Sequence, residues 1–232
     1  MIRSSGMFVV MCLAGCSQLP IGPEPAASVA SATPAPALLE PGGGAPEPQS
    51  PALFQQSYDD EAAGKLEASL AALDGVHATG RAAYVASLRR GWLLYRLGKN
   101  DDSVLEYGKA AALAPDSVEA KVGSLAPLAA LRRWTDVEAA ARDVLTRDAG
   151  NYTATLRLAF ALYSQARFAD AEAVYRRLGK LYPSDVDVRD GLGWSLLKLG
   201  RARDAGAEFA EVLAIAPQNR LALDGAHAAG KP

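Results

Sequence analysis

Few residues in this chain have the type and spacing that bond-making chemistry needs. Its two histidines, His77 beside a turn signal and His227 near the C-terminus, have no Cys, His, Asp or Glu partners at metal-ligand spacing. Neither a glycine-rich phosphate loop nor a Gly-x-Ser-x-Gly elbow occurs. Acidic residues such as Asp101-Asp102 and Glu138 to Asp143 sit where helix caps and solvated helix faces belong, not as a catalytic pair. The sequence therefore predicts no enzyme, no metal and no cofactor. What remains is anchoring chemistry. Trp92, Tyr95, Phe160, Tyr163 and Trp194, with Arg89, Arg96 and Arg157 close by, are of the types that carry binding energy at protein interfaces.

The elements that must position these residues are helices. The chain has 232 residues, 50% hydrophobic, 7% aromatic and 22% charged, with a formal charge of −2. That balance suits a soluble globular fold and selects no nucleic-acid partner. Abundant alanine and few aromatics favour helices with small contact residues over a sheet. From Arg189 the chain reads Leu192-Gly193, Leu196, Gly200, Ala205, Phe209 and Pro217. The same register occurs once before, with Leu158-Ala159, Leu162, Ala166, Ala171, Tyr175 and Pro183 at the matching positions. One further step back by the same interval gives the weaker set Leu125, Leu128, Arg132, Val137 and Ala141, and the next gives Gly91, Leu94, Gly98, Ser103, Tyr107 and Pro115.

This pattern resembles the tetratricopeptide repeat, in which a helix, a small-residue turn and a second helix recur with a period of about 34 residues. The resemblance implies an all-α fold, a right-handed helix-turn-helix solenoid, with repeats over 84–117, 118–151, 152–185 and 186–219 and a C-terminal capping helix over 220–232. Residues 53–83 read as a capping helix or a worn repeat, since Gly64 lies one repeat length before Gly98. Ser57-Tyr58-Asp59-Asp60 resembles a capping box, and Asp116 with Glu119, Thr135 with Glu138 and Ser184 with Asp187 read as helix starts. Pro127 falls inside a helix and predicts a bend there.

The resemblance also implies that the first helix of each repeat lines the binding surface. Carried onto this chain, that surface holds Leu88, Arg89, Trp92, Tyr95, Arg96, Leu156, Arg157, Phe160, Tyr163, Asp190 and Trp194, and a peptide or helix from another protein is the expected occupant.

Residues 1–15 read as a signal peptide: Arg3 gives the positive start, and Met7 to Ala14 is an apolar core too short to span a bilayer. Leu13-Ala14-Gly15-Cys16 resembles the lipobox of bacterial lipoproteins, which implies cleavage before Cys16 and lipidation of its thiol. Ser17 after the Cys implies the outer membrane, with the protein facing the periplasm. Residues 16–52, with nine of the fourteen prolines and Gly42-Gly43-Gly44, lack apolar periodicity and predict a disordered tether. Its reach lies between roughly 30 Å as a coil and about 110 Å as polyproline II. The expectation is a lipid-anchored envelope scaffold that binds proteins in support of pilus or secretion-machinery assembly. The alternative is a carbohydrate-contacting component of exopolysaccharide export.

Overall fold

A computed structural model describes residues 50–230. The signal peptide, Cys16 and nearly all of the tether lie outside the described residues. Helix α1 (Ser50–Ala62) begins inside the segment expected to be tether, so residues 50–52 are helical.

Eleven α-helices and one 3-10 turn make up the described chain. After α1 come α2 (Leu66–Ala72), the 3-10 turn Leu73–Gly75, α3 (Gly80–Arg96), α4 (Asn100–Leu113), α5 (Glu119–Ala130) and α6 (Trp134–Arg147). They are followed by α7 (Tyr152–Ser164), α8 (Phe168–Leu181), α9 (Val186–Lys198), α10 (Ala202–Ile215) and α11 (Arg220–Ala229).

Each helix packs on the next in the chain. From α3 onward each odd helix also touches the next odd one, while no two even helices pack comparably among the described residues. The stack is therefore tighter along the odd side, and the odd helices line its inner face.

Two ladders, each stepping once per repeat, fix the helix ends. The turns between paired helices carry a positive φ at Gly64, Gly98, Arg132, Ala166 and Gly200. Glycine adopts that conformation freely, whereas Arg132 and Ala166 each do so at a cost of about 1 kcal/mol. The N-terminal hairpin α1–α2 has the same turn at Gly64 as the four that follow. At the other end of the odd helices, Asn151, Asp185 and Asn219 accept the N–H of Ala154, Val188 and Ala222, and Ser117 Oγ accepts the Glu119 N–H. The cap Asp185 lies one residue beyond the expected Ser184, and Ser117, not Asp116, bonds the start of α5.

Two other sequence expectations, at Thr135 and Ser57, are corrected. Thr135 lies within the first turn of α6, not before it. Ser57 is no cap. It lies buried inside α1, its hydroxyl 3.0 Å from that of Ser69 in α2. Pro127 is buried within α5, and the helix continues through it to Ala130.

The core is built from joints between consecutive repeats. Tyr107 of α4, Tyr175 of α8 and Phe209 of α10 each press on a glycine of the next odd helix. A methyl group at Gly123, Gly191 or Gly225 would lie only 2.3 Å from the ring concerned. At the remaining joint, between α6 and α7, the equivalent residues are Ala141 and Arg157. A large residue on one side is thus met by none on the other, as close packing requires.

Candidate functional site

The expected binding residues all lie on odd helices, but they divide into groups with different duties. Two of them are built into the molecule. Arg89 is 8% exposed, and its Nη2 donates to Glu61 Oε2 at 3.0 Å and to Ser57 Oγ at 2.9 Å. Its guanidinium also lies 3.5 Å from the centre of the Tyr58 ring. A buried arginine with these partners joins α1 to α3 and is not available to another protein, which corrects its assignment to the binding surface. Asp190, 3% exposed, is likewise internal: its Oδ2 accepts from Asn219 Nδ2 at 2.9 Å, tying α9 to the cap of α11. Burial foremost, and then the charge of Asp187, push its carboxyl up to about 6, against the opposing effect of the Asn219 hydrogen bond.

The aromatic residues are half-buried and grouped toward the turn end of the odd helices. Trp92 donates its Nε1–H to Glu61 Oε1 at 2.7 Å, stands 6.3 Å from Tyr95 and has the Arg96 guanidinium 5.3 Å from its ring. Phe160 meets Trp134 edge to face at 5.3 Å, and Tyr163 meets Phe168 at the same distance. Burial pushes the Tyr163 hydroxyl up to about 12. Trp194 contacts Phe209 at 5.6 Å, and its buried Nε1–H has no acceptor among the described residues. Leu156 and Leu88 are half-buried fillers, the first against the main core and the second against Tyr84, Ala110 and Ala120.

The face open to a partner is therefore narrower than the sequence implies. It comprises the exposed Arg96 with the half-buried Trp92, Tyr95, Arg157, Phe160, Tyr163 and Trp194. Sequence reasoning did not bring in Glu61, Trp134, Phe168 or Asn219. Trp134 and Phe168 are the first residues of α6 and α8 and occupy the same position in consecutive repeats, so the repeat register carried that signal. Glu61 carried no signal, because the register of α1 was not established from the sequence.

Among the described residues no group of three His, Cys, Asp or Glu is placed to hold a metal ion, and both histidines are exposed. A surface depression of about 470 Å³ lies between α2, the 3-10 turn, α3 and α4.

Residues 128–194 match the family model described as tetratricopeptide repeat. No curated protein sequence matches the chain. Among solved structures, MamA from Desulfovibrio magneticus RS-1 is 16% identical with a TM-score of 0.70, covering 76% of this chain and 99% of that one. A tetratricopeptide repeat protein from Parabacteroides merdae is 14% identical with a TM-score of 0.71, covering 78% of this chain and 72% of its own. The thermophilic protein TTC0263 of Thermus thermophilus is 17% identical with a TM-score of 0.56, covering 77% and 98%. Identities this low speak for the fold alone. The described residues thus form a tetratricopeptide-type helical solenoid, with the family's own pattern carried by residues 128–194.

Proposed function

We propose that this chain is a protein-binding scaffold of the bacterial envelope, hung from the outer membrane by a lipid on Cys16 and serving the assembly of a pilus or secretion machine. A tetratricopeptide-type solenoid supports protein partners. The observation that carries the binding face is the row of half-buried Trp92, Tyr95, Phe160 and Tyr163 along the odd helices, with Arg96 exposed beside it. Aromatic bodies with a guanidinium at the rim are the usual anchors of a docked segment. The anchor rests on Leu13-Ala14-Gly15-Cys16 and the proline-rich stretch that follows. Acyl chains contribute about 0.8 kcal/mol per buried CH2, so a multiply acylated cysteine gives stable attachment.

Two measurements test this reading. A photo-reactive side chain at Tyr95 should cross-link an envelope protein in intact cells, and one at Leu105 on the even side should not. Labelling from Leu105 alone would place binding on the other face. The Cys16→Ser protein should leave the membrane fraction, and its persistence there would remove the lipid anchor.

A further inference from the structure

Asp187, Asp190 and Trp194 follow one another along α9 at spacings of three and four and so share one face of the helix. Asp190 Oδ1 and Trp194 Nε1 are both buried with no hydrogen-bond partner among the described residues. Trp92 occupies the same place in its repeat as Trp194, and there Glu61 accepts its Nε1–H. One tryptophan of this register is satisfied and the other is left open.

Among the described residues no ion pair reaches the two carboxyls, and the one cation that acts on them is Arg157, whose charge favours the ionised form of Asp187. Asp187 lies on the same helix as Asp190, and Asp185 just before it accepts the Tyr152 hydroxyl from α7. Arg157 of α7 faces Asp187 but forms no hydrogen bond or ion pair among the described residues. Asn219 comes from the start of α11. Among the described residues neither Asp187 nor Asp190 has a lysine or arginine within ion-pair distance, whereas Asp136, Glu138, Asp170, Glu172 and Asp204 all do.

We propose that this face of α9 seats a lysine or arginine side chain of the segment bound by the odd helices, its charge against Asp187 and its aliphatic stem along Trp194. The inference deepens the groove reading above and rests on it. Asp187 is the more accessible carboxylate, and Asp190 beneath it adds its field. The chain already stacks cations on its own rings, Arg89 on Tyr58 and Arg96 on Trp92.

Titration supports the same assignment. Burial foremost, then Asp185, raises the Asp187 carboxyl, with Arg157 opposing. The Asp190 carboxyl is raised to about 6. Only the ionised carboxylates attract a cation, so binding strengthens as pH rises through that value.

The test uses the full chain and two short labelled peptides of identical leucine, alanine and phenylalanine content, one carrying two lysines and the other two glutamines in their place. Fluorescence anisotropy is followed at about pH 5 and about pH 7.5. The lysine peptide should bind roughly five- to tenfold tighter than the glutamine peptide at the higher pH, and the gap should narrow at the lower one. Asp187→Asn, whose helicity is checked by circular dichroism, should remove most of the gap between the two peptides at the higher pH. The Trp194 indole N–H resonance should move with the lysine peptide alone. Equal binding of both peptides would leave the groove standing and overturn the cation seat, and binding of neither would overturn both.

Discussion

A carboxyl that is 3% exposed with one oxygen unbonded is held at a thermodynamic cost, and the cost of Asp190 can be read from its pH dependence. Its folded value of about 6 lies above the ordinary 3.8, so folding favours the protonated form. The contribution of Asp190 to stability is therefore highest below the unfolded value, falls as pH rises from 3.8 to about 6, and stays reduced above that. Asp190→Asn removes the charge and keeps an amide able to face Asn219. At pH 8 it should stabilise the fold by about 2 kcal/mol, and below pH 4 by almost nothing. Urea unfolding at the two pH values checks this, and an equal effect at both would mean the charge is not the cause. The sequence placed Asp190 on the correct helix, but it could not show the burial, because Asn219 reaches it from the cap of α11, 29 residues on. Arg89 was likewise found on the right helix, while its partners Ser57 and Glu61 come from a hairpin whose register is set by Gly64 alone.

Between elements, a ring meeting a glycine holds three of the four joints from α4 to α11. Gly191→Ala would put a methyl 2.3 Å from Tyr175 Cζ, an overlap that the buried ring cannot leave without moving α8 from α9. Thermal and denaturant unfolding should show a loss of about 1–3 kcal/mol. A loss below a few tenths would mean that the joint has slack. From α3 onward helix number and turn positions were legible from the sequence because Gly98, Gly200 and the prolines recur with the repeat, whereas residues 53–83 read as either one capping helix or a hairpin. The caps were placed one residue early, since Ser184 and Asp116 are as good on composition as the residues that actually bond the backbone. The complementarity of Tyr107 with Gly123 and of Tyr175 with Gly191 was present in the sequence but spans two repeats, so a search within single repeats passes over it.

For the stack as a whole, each helix touches only near neighbours in the chain, so opening one end need not open the rest. Glu61 is the residue through which α1 holds both Arg89 and Trp92. Glu61→Ala should leave Arg89 buried without its carboxylate and cost about 2–3 kcal/mol, felt locally. Hydrogen exchange should quicken in α1 and α2, with α7 to α10 unchanged. Uniform quickening would show one cooperative unit instead.

The one joint that lacks a ring also restricts how such a chain can be shortened. Excision of residues 118–151 alone would bring Tyr107 onto the arginine at 157, a mismatch of two bulky side chains. Excision of 118–185 would bring it onto Gly191, whose cradle already accepts a tyrosine. Over this stretch, Tyr107 meets a glycine again only when both repeats leave together.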